Sequence, residues 1–230
     1  MHHSRVYRTF TYREAVLRIC CLRFDAVTAE IVRQRHILEE YIRRHPEFQR
    51  SLVPIGLHAD APEIARHMAW AAERVGVGPM AAVAGAMAQS AAEAALTAGA
   101  EEAIVDNGGD VYLKATEPVV VALGTGTAKL ADRLAFAVEP DETPVSICSS
   151  SGKMGHSMSL GLCDLATIVA KDAALADAAA TEAANLVRSP DDVDAALERV
   201  RSIAGISGVL IVKDDRIGLA GRLPRLIKTH

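Results

Sequence analysis

Apolar and polar residues alternate over two stretches near the start of the chain. Val6, Phe10 and Tyr12, then Val16, Ile19, Leu22 and Phe24, recur as on strands, which predicts a hairpin over residues 5–12 and 14–24. The period then lengthens. Ile31, Leu38 and Ile42 share one side of a predicted helix, with Thr28 as its cap and Arg44 near its end, before His45-Pro46. Residues 52–57 have the apolar density of a short strand. Asp60 and Pro62 open a helix to Val75 that Gly76 closes, and Gly78-Pro79 opens another over 80–98 that Gly99 closes.

Beyond Gly99 the pattern turns to strands, predicted at 102–106, 110–115, 118–123, 130–137, 145–148 and 165–170. Helices follow at 172–187 and 190–204, the second with Ser189 as cap and Asp191 and Asp192 favourable in its first turn. A last hairpin pairs 209–212 with 216–219 around Asp214-Asp215. Segregated strands and helices predict an α+β fold, mostly antiparallel, as a single domain over residues 1–230.

Composition narrows the function classes. A chain of 230 residues buries roughly 70% of its unfolded surface, enough for a core without staples. The net charge of −4, without basic blocks, argues against nucleic acid as the main partner. The basic end of Arg222, Arg225 and Lys228 reads as solvated. Cys20, Cys21, Cys148 and Cys163 form no C-x-x-C, and adjacent Cys20 and Cys21 point to opposite faces of a strand, as reduced thiols of a cytosolic protein would. No apolar run approaches the ~18 residues of a membrane span and no hydrophobic leader is visible, so no membrane and a cytoplasmic location are expected. Aromatics are few, and 80–98 is nearly all small residues, fit to approach a ligand, a neighbour or a second copy of the chain. Trp70 reads as a core or interface anchor.

Three polar segments carry candidate chemistry. Asp106-Asn107-Gly108-Gly109-Asp110 lies between the runs 103–105 and 111–113. A hairpin turn needs only Asn-Gly, so Gly109 and Asp110 exceed that minimum; a decorated turn and a ligand-binding turn both remain open. Ser149-Ser150-Ser151-Gly152-Lys153-Met154-Gly155-His156-Ser157 offers hydroxyls, backbone amides and a lysine to a phosphate, and His156 as acid, base or donor. Asp177 and Thr181, at i and i+4, share one helix face among alanines and offer the hard oxygens that suit Mg²⁺ or Ca²⁺. Gly124-Thr125-Gly126-Thr127 reads as a hairpin turn, since no Gly-Lys-Ser follows.

Together, VDNGGDVYL (105–113), SSSGKMGHS (149–157) and ATIVAKDAALADAAATEAANL (166–186) resemble the ApbE-type FAD:protein FMN transferases, over roughly residues 75–187. The resemblance implies the ApbE-like fold, with the polar segments converging on a cleft between two lobes. It implies Asp177 and Thr181 as metal ligands, Asn107, Gly108, Gly109 and Asp110 lining the flavin or adenine pocket, and Ser150, Ser151, Gly152 and His156 at the phosphate or ribitol. Asp110 or His156 would assist proton transfer, FAD and Mg²⁺ would be bound, and a Ser or Thr of an acceptor protein would take the FMN. The chain departs from the transferases in having no lysine before Lys114, no D-P-x-T-G after His156 and Gly85 without the usual neighbouring lysine. Its motif set most resembles that of a smaller branch of the superfamily, made of cytosolic proteins. Two other functions stay open: a flavin carrier without turnover, and sulfur chemistry at Cys148 or Cys163.

Overall fold

The computed structural model describes residues 5–123, 134–152 and 161–228. The chain begins with β1 (Arg8–Tyr12), β2 (Ala15–Cys21), α1 (Phe24–Arg44), α2 (Glu47–Arg50), α3 (Glu63–Val75) and α4 (Val83–Thr97). It continues through β3 (Ala103–Asn107), β4 (Asp110–Lys114), β5 (Val119–Ala122), β6 (Leu134–Val138), β7 (Val145–Ser150) and β8 (Leu165–Ala170). It ends with α5 (Ala173–Leu186), α6 (Val193–Arg201), β9 (Ile206–Lys213), β10 (Arg216–Gly221) and β11 (Arg225–Lys228). One sheet has the order β1-β2-β3-β4-β7-β8-β9-β10, a second the order β11-β6-β5, and every pairing is antiparallel.

The two-residue period of a strand sorts the large sheet into two buried faces. Leu17, Ile19, Val105, Tyr112, Cys148, Ile168 and Ile211 face the helices. Cys20, Ile104, Leu113, Ile147, Leu165 and Val212 face the small sheet, where they meet Val121, Phe136 and Val138. The fold is therefore α+β in three layers: helices, large sheet, small sheet. Cys20 and Cys21 do separate, one to each face, and all four cysteines are free thiols. No single helix among the described residues is long and apolar enough to cross a membrane.

Alanine lets α4 and α5 approach closely. A Cβ at Gly85 would overlap the Ala173 carbonyl oxygen and lie 2.9 Å from the Cβ of Asp177. The lean face of α4 is thus used inside the chain, with Ala86, Ala88, Ala91, Ala92 and Ala95 all buried. Asp172 caps α5, accepting the Leu175 amide at 2.8 Å, and also takes His67 of α3 at 2.7 Å.

Several boundaries differ from expectation. Helix α1 begins at Phe24, and the Thr28 hydroxyl donates to the Asp25 carbonyl inside it rather than capping it. Residues 52–57 form no strand: Pro54 has no N–H to give a ladder, Leu52 and Val53 are exposed, and the Ser51 hydroxyl folds back onto Val53. A 3₁₀ turn, Pro79–Ala82, precedes α4. The basic end is a strand, β11, whose Leu226 and Ile227 pair with Phe136 and Ala135 while Arg225 and Lys228 stay exposed, a charged edge that discourages further pairing. Trp70 is outside the core, 38% exposed, with the Arg74 guanidinium 4.6 Å from its ring centre. The turn expected at 124–127 lies outside the described residues.

The α3–α5 ion pair makes stability depend on pH. Hydrogen bonding to Asp172 raises His67 above its ordinary 6.5, and Asp172 is lowered from 3.8 because the His67 and amide hydrogen bonds outweigh its burial. His67 contributes fully below 6.5 and is lost as pH rises through its elevated value. Asp172 contributes above 3.8 and is lost as pH falls below it. The pair's own contribution is fully present between these limits, and His67→Gln should flatten the part of the alkaline decline in unfolding stability that lies above 6.5, at a cost of roughly 1 kcal/mol, given the pair's partial exposure.

Candidate functional site

The glycine turn is a two-residue hairpin between β3 and β4, with Asn107 opposite Asp110. Gly108 and Gly109 have φ of 71° and 105°, which a side chain resists, and no atom lies within 4 Å of a Cβ built on either. The glycines are therefore demanded by backbone conformation and leave open space beside the turn. The Asp106 carboxylate accepts the Gly109 amide at 2.9 Å, and the Asn107 amide nitrogen donates to the Ala84 carbonyl at 3.2 Å. Asn107 thus ties the turn to the start of α4.

That tie brings two carboxylates together beneath the helices. Asp110, first residue of β4, pairs with Cys148 of β7 on the helix-facing side, and is 8% exposed. Asp177 projects from α5 toward it, and its Oδ2 accepts the Gly85 amide at 2.9 Å in the first turn of α4. The helix dipole and this donor favour the charged form, yet burial dominates and Asp177 is pushed up to about 7. Asp110 is raised well above its ordinary value, first by burial and then by Asp177. Among the described residues no cation pairs with either carboxylate, and Asp110 Oδ1 is buried with no hydrogen-bond partner. Two carboxylates in this setting hold a proton or a cation rather than two free charges.

Thr181 lies one turn beyond Asp177 and is buried. The serine run divides by strand alternation. The Ser149 hydroxyl bonds Thr167 of β8 at 2.9 Å on the small-sheet side. Ser150 shares the face of Cys148 and Asp110, about 7 Å further along β7. Ser151 is buried, and the Gly152 amide donates to the Cys163 carbonyl at 2.8 Å. His156 and Lys153 lie outside the described residues. So Asp110 and Asp177 meet between helices and sheet, Asn107 is tied to the start of α4 beside them, Thr181 and Ser150 lie further along α5 and β7, and Gly108 and Gly109 are at the exposed rim.

A family model described as AbpE bacteria matches residues 18–216. The chain belongs to this family, within the ApbE-like superfamily. It is similar to a UPF0280 protein of Methanocaldococcus jannaschii, at 39% identity over 86% of this chain and 82% of that one. It is also similar to a UPF0280 protein of Methanocella arvoryzae, at 40% identity over 87% and 81%. Among solved structures its fold matches the flavin transferase ApbE of Vibrio cholerae, with a TM-score of 0.53 at 13% identity over 94% and 96% of the two chains. The ApbE protein of Thermotoga maritima matches with a TM-score of 0.54 at 12% identity over 91% and 94%.

In this ApbE-like protein the two thiols near the site are buried, and burial raises both: Cys148 well above its ordinary value, Cys163 to about 12. The Cys148 thiol lies against the Ala173 carbonyl and the carboxylates, which further oppose its ionisation. Motif reading missed the amide of Gly85, which orients Asp177. The only available signal was a glycine inside an alanine helix. It also missed the His67–Asp172 pair, whose members are 105 positions apart and share no motif.

Proposed function

We propose that this chain is a Mg²⁺-dependent enzyme that cleaves the pyrophosphate of FAD and transfers FMN to a Ser or Thr hydroxyl of an acceptor protein. The observation that carries this reading is the pairing of buried Asp110, with one orphaned oxygen, and half-buried Asp177 in the fold of flavin transferases. Hard oxygen donors with uncompensated negative charge fit Mg²⁺ better than a softer ion. Asp177 and Thr181 would hold it, and once bound it would neutralise charge as AMP leaves.

The chain's own residues do the rest. The open space beside Gly108 and Gly109 admits a planar ring, and Asn107 keeps that turn fixed against α4. Ser150 ends β7 on the face of Cys148 and Asp110, and Ser151 and Gly152 follow it, where phosphate or ribitol would lie. Asp110 Oδ1, with no competing donor among the described residues, accepts the proton of the acceptor hydroxyl. The new bond joins that oxygen to the FMN phosphorus, and the bond between the two phosphates breaks with AMP as leaving group.

Incubation of the purified protein with FAD and a threonine-containing acceptor peptide, with and without Mg²⁺, tests this by chromatography of FAD, FMN and AMP. Magnesium-dependent AMP release is the expected outcome. FAD bound tightly without AMP would make the chain a carrier, and absence of flavin binding would overturn the reading.

A further inference from the structure

A second cluster of ligand-type side chains stands on residues the flavin site does not use. His45 ends α1, Glu47 opens α2, and His58 lies in the segment that leads to α3. One ring nitrogen of each histidine and one carboxylate oxygen of Glu47 lie within 4.8 Å of one another. We propose that His45, Glu47 and His58 bind a transition-metal ion of the Zn²⁺ type, which braces residues 51–62 against the α1–α2 corner.

The donors stand close enough for small side-chain rotations to bring them onto one ion. Glu47 Oε1 lies 2.8 Å from His58 Nε2 and 3.9 Å from His45 Nδ1. Donors around a tetrahedral zinc stand about 3.3 Å apart, between these two separations. The imidazole rings stack with centres 3.8 Å apart and planes 15° from parallel. Asp60 accepts from the other nitrogen of His45, Nε2, at 3.0 Å, and Arg44 in turn pairs with Asp60. A carboxylate on the far nitrogen fixes the tautomer that leaves Nδ1 with a lone pair for metal. Tyr41 supports both histidines: its ring centre is 4.8 Å from that of His45, and its hydroxyl oxygen accepts the His58 amide at 3.4 Å. Tyr41 itself is fully buried and anchors the His45 side of the cluster to the core. An open groove of about 430 Å³ lined by Pro46, Glu47, Arg50, Ser51 and Ile55 leaves Glu47 accessible to solvent. Two imidazoles and one carboxylate favour Zn²⁺ over Mg²⁺, which separates this cluster chemically from the all-oxygen Asp177–Thr181 pair.

Equilibrium dialysis of the full chain against Zn²⁺ with excess Mg²⁺ tests the site in the wild type, His58→Gln, Glu47→Gln and Asp177→Asn. His58 and Glu47 are about half exposed, so both substitutions leave the core intact. One equivalent of Zn²⁺ is expected in the wild type and in Asp177→Asn, with affinity at least tenfold lower in His58→Gln and Glu47→Gln. Thermal unfolding should show a Zn²⁺-dependent rise in Tm that His58→Gln abolishes while the metal-free Tm stays the same. Zinc bound equally by His58→Gln and Glu47→Gln, or not bound by the wild type, would overturn the proposal.

Discussion

Asp177→Asn should abolish magnesium-dependent release of AMP from FAD while making the metal-free protein more stable at pH 7. The two effects have one cause. Burial raises the Asp177 carboxyl to about 7, so its charged form is disfavoured in the native state. A raised carboxyl contributes its stability below its unfolded value, near 3.8, and that contribution is lost as pH rises through about 7. Asparagine keeps an oxygen for the Gly85 amide but carries no charge, so the decline in metal-free stability between these pH values should flatten. The gain at pH 7 is a few kcal/mol at most, since Asp177 is not wholly shielded from solvent. Losing a charged ligand of the metal removes several kcal/mol of charge stabilisation, a hundredfold or more in rate. Asp110→Asn should behave alike, removing the buried charge beside Asp177 and the oxygen that receives the proton. A variant that is inactive because it unfolds would show a lower Tm. Calorimetry beside the FAD assay therefore separates the explanations, and full activity in Asp177→Asn would rule out its role.

The second large effect is expected from Gly85→Ala. The added methyl would overlap the Ala173 carbonyl oxygen and crowd the Cβ of Asp177. Both obstacles are fixed, one backbone and one anchored by the cap of α5, so α4 and α5 must separate. Overpacking of this kind typically costs about 1–3 kcal/mol, and this position belongs at the upper end because nothing flexible can give. The same separation lengthens the 2.9 Å hydrogen bond from the Gly85 amide to Asp177. Activity should therefore fall further than stability alone explains. Chemical denaturation together with the FAD assay at a temperature where the variant stays folded checks both. A midpoint within error of the wild type would show that the two helices have slack.

The sequence was legible where a local period or a turn residue carried the information. The alternation in 102–106 and 110–114, the glycine turn between them and the small-residue helices each rest on neighbours in the chain, and all appear near their expected places, though Gly108-Gly109 rather than Asn-Gly makes the turn. Misreadings fell where tertiary context overrode local preference. Apolar 52–57, interrupted by Pro54, stayed irregular, whereas 225–228, short and charged at both ends, paired with β6 and became a strand.

For the site, the sequence by itself made Asp110, Asp177, Thr181 and the glycine turn candidates, because three motifs that are each ambiguous alone together resemble those of the ApbE-type transferases. Only the tertiary structure decided that Asp110 and Asp177 face each other across a helix–sheet seam, with an alanine-lined approach of α4 to α5 delivering the Gly85 amide. It also decided which serines point where and turned Cys148 into a buried neutral thiol beside two acids. The physical reason is that burial and charge proximity are properties of distance in space. Residues 67 positions apart acquire shifted acidity only after the sheet and helices have closed around them.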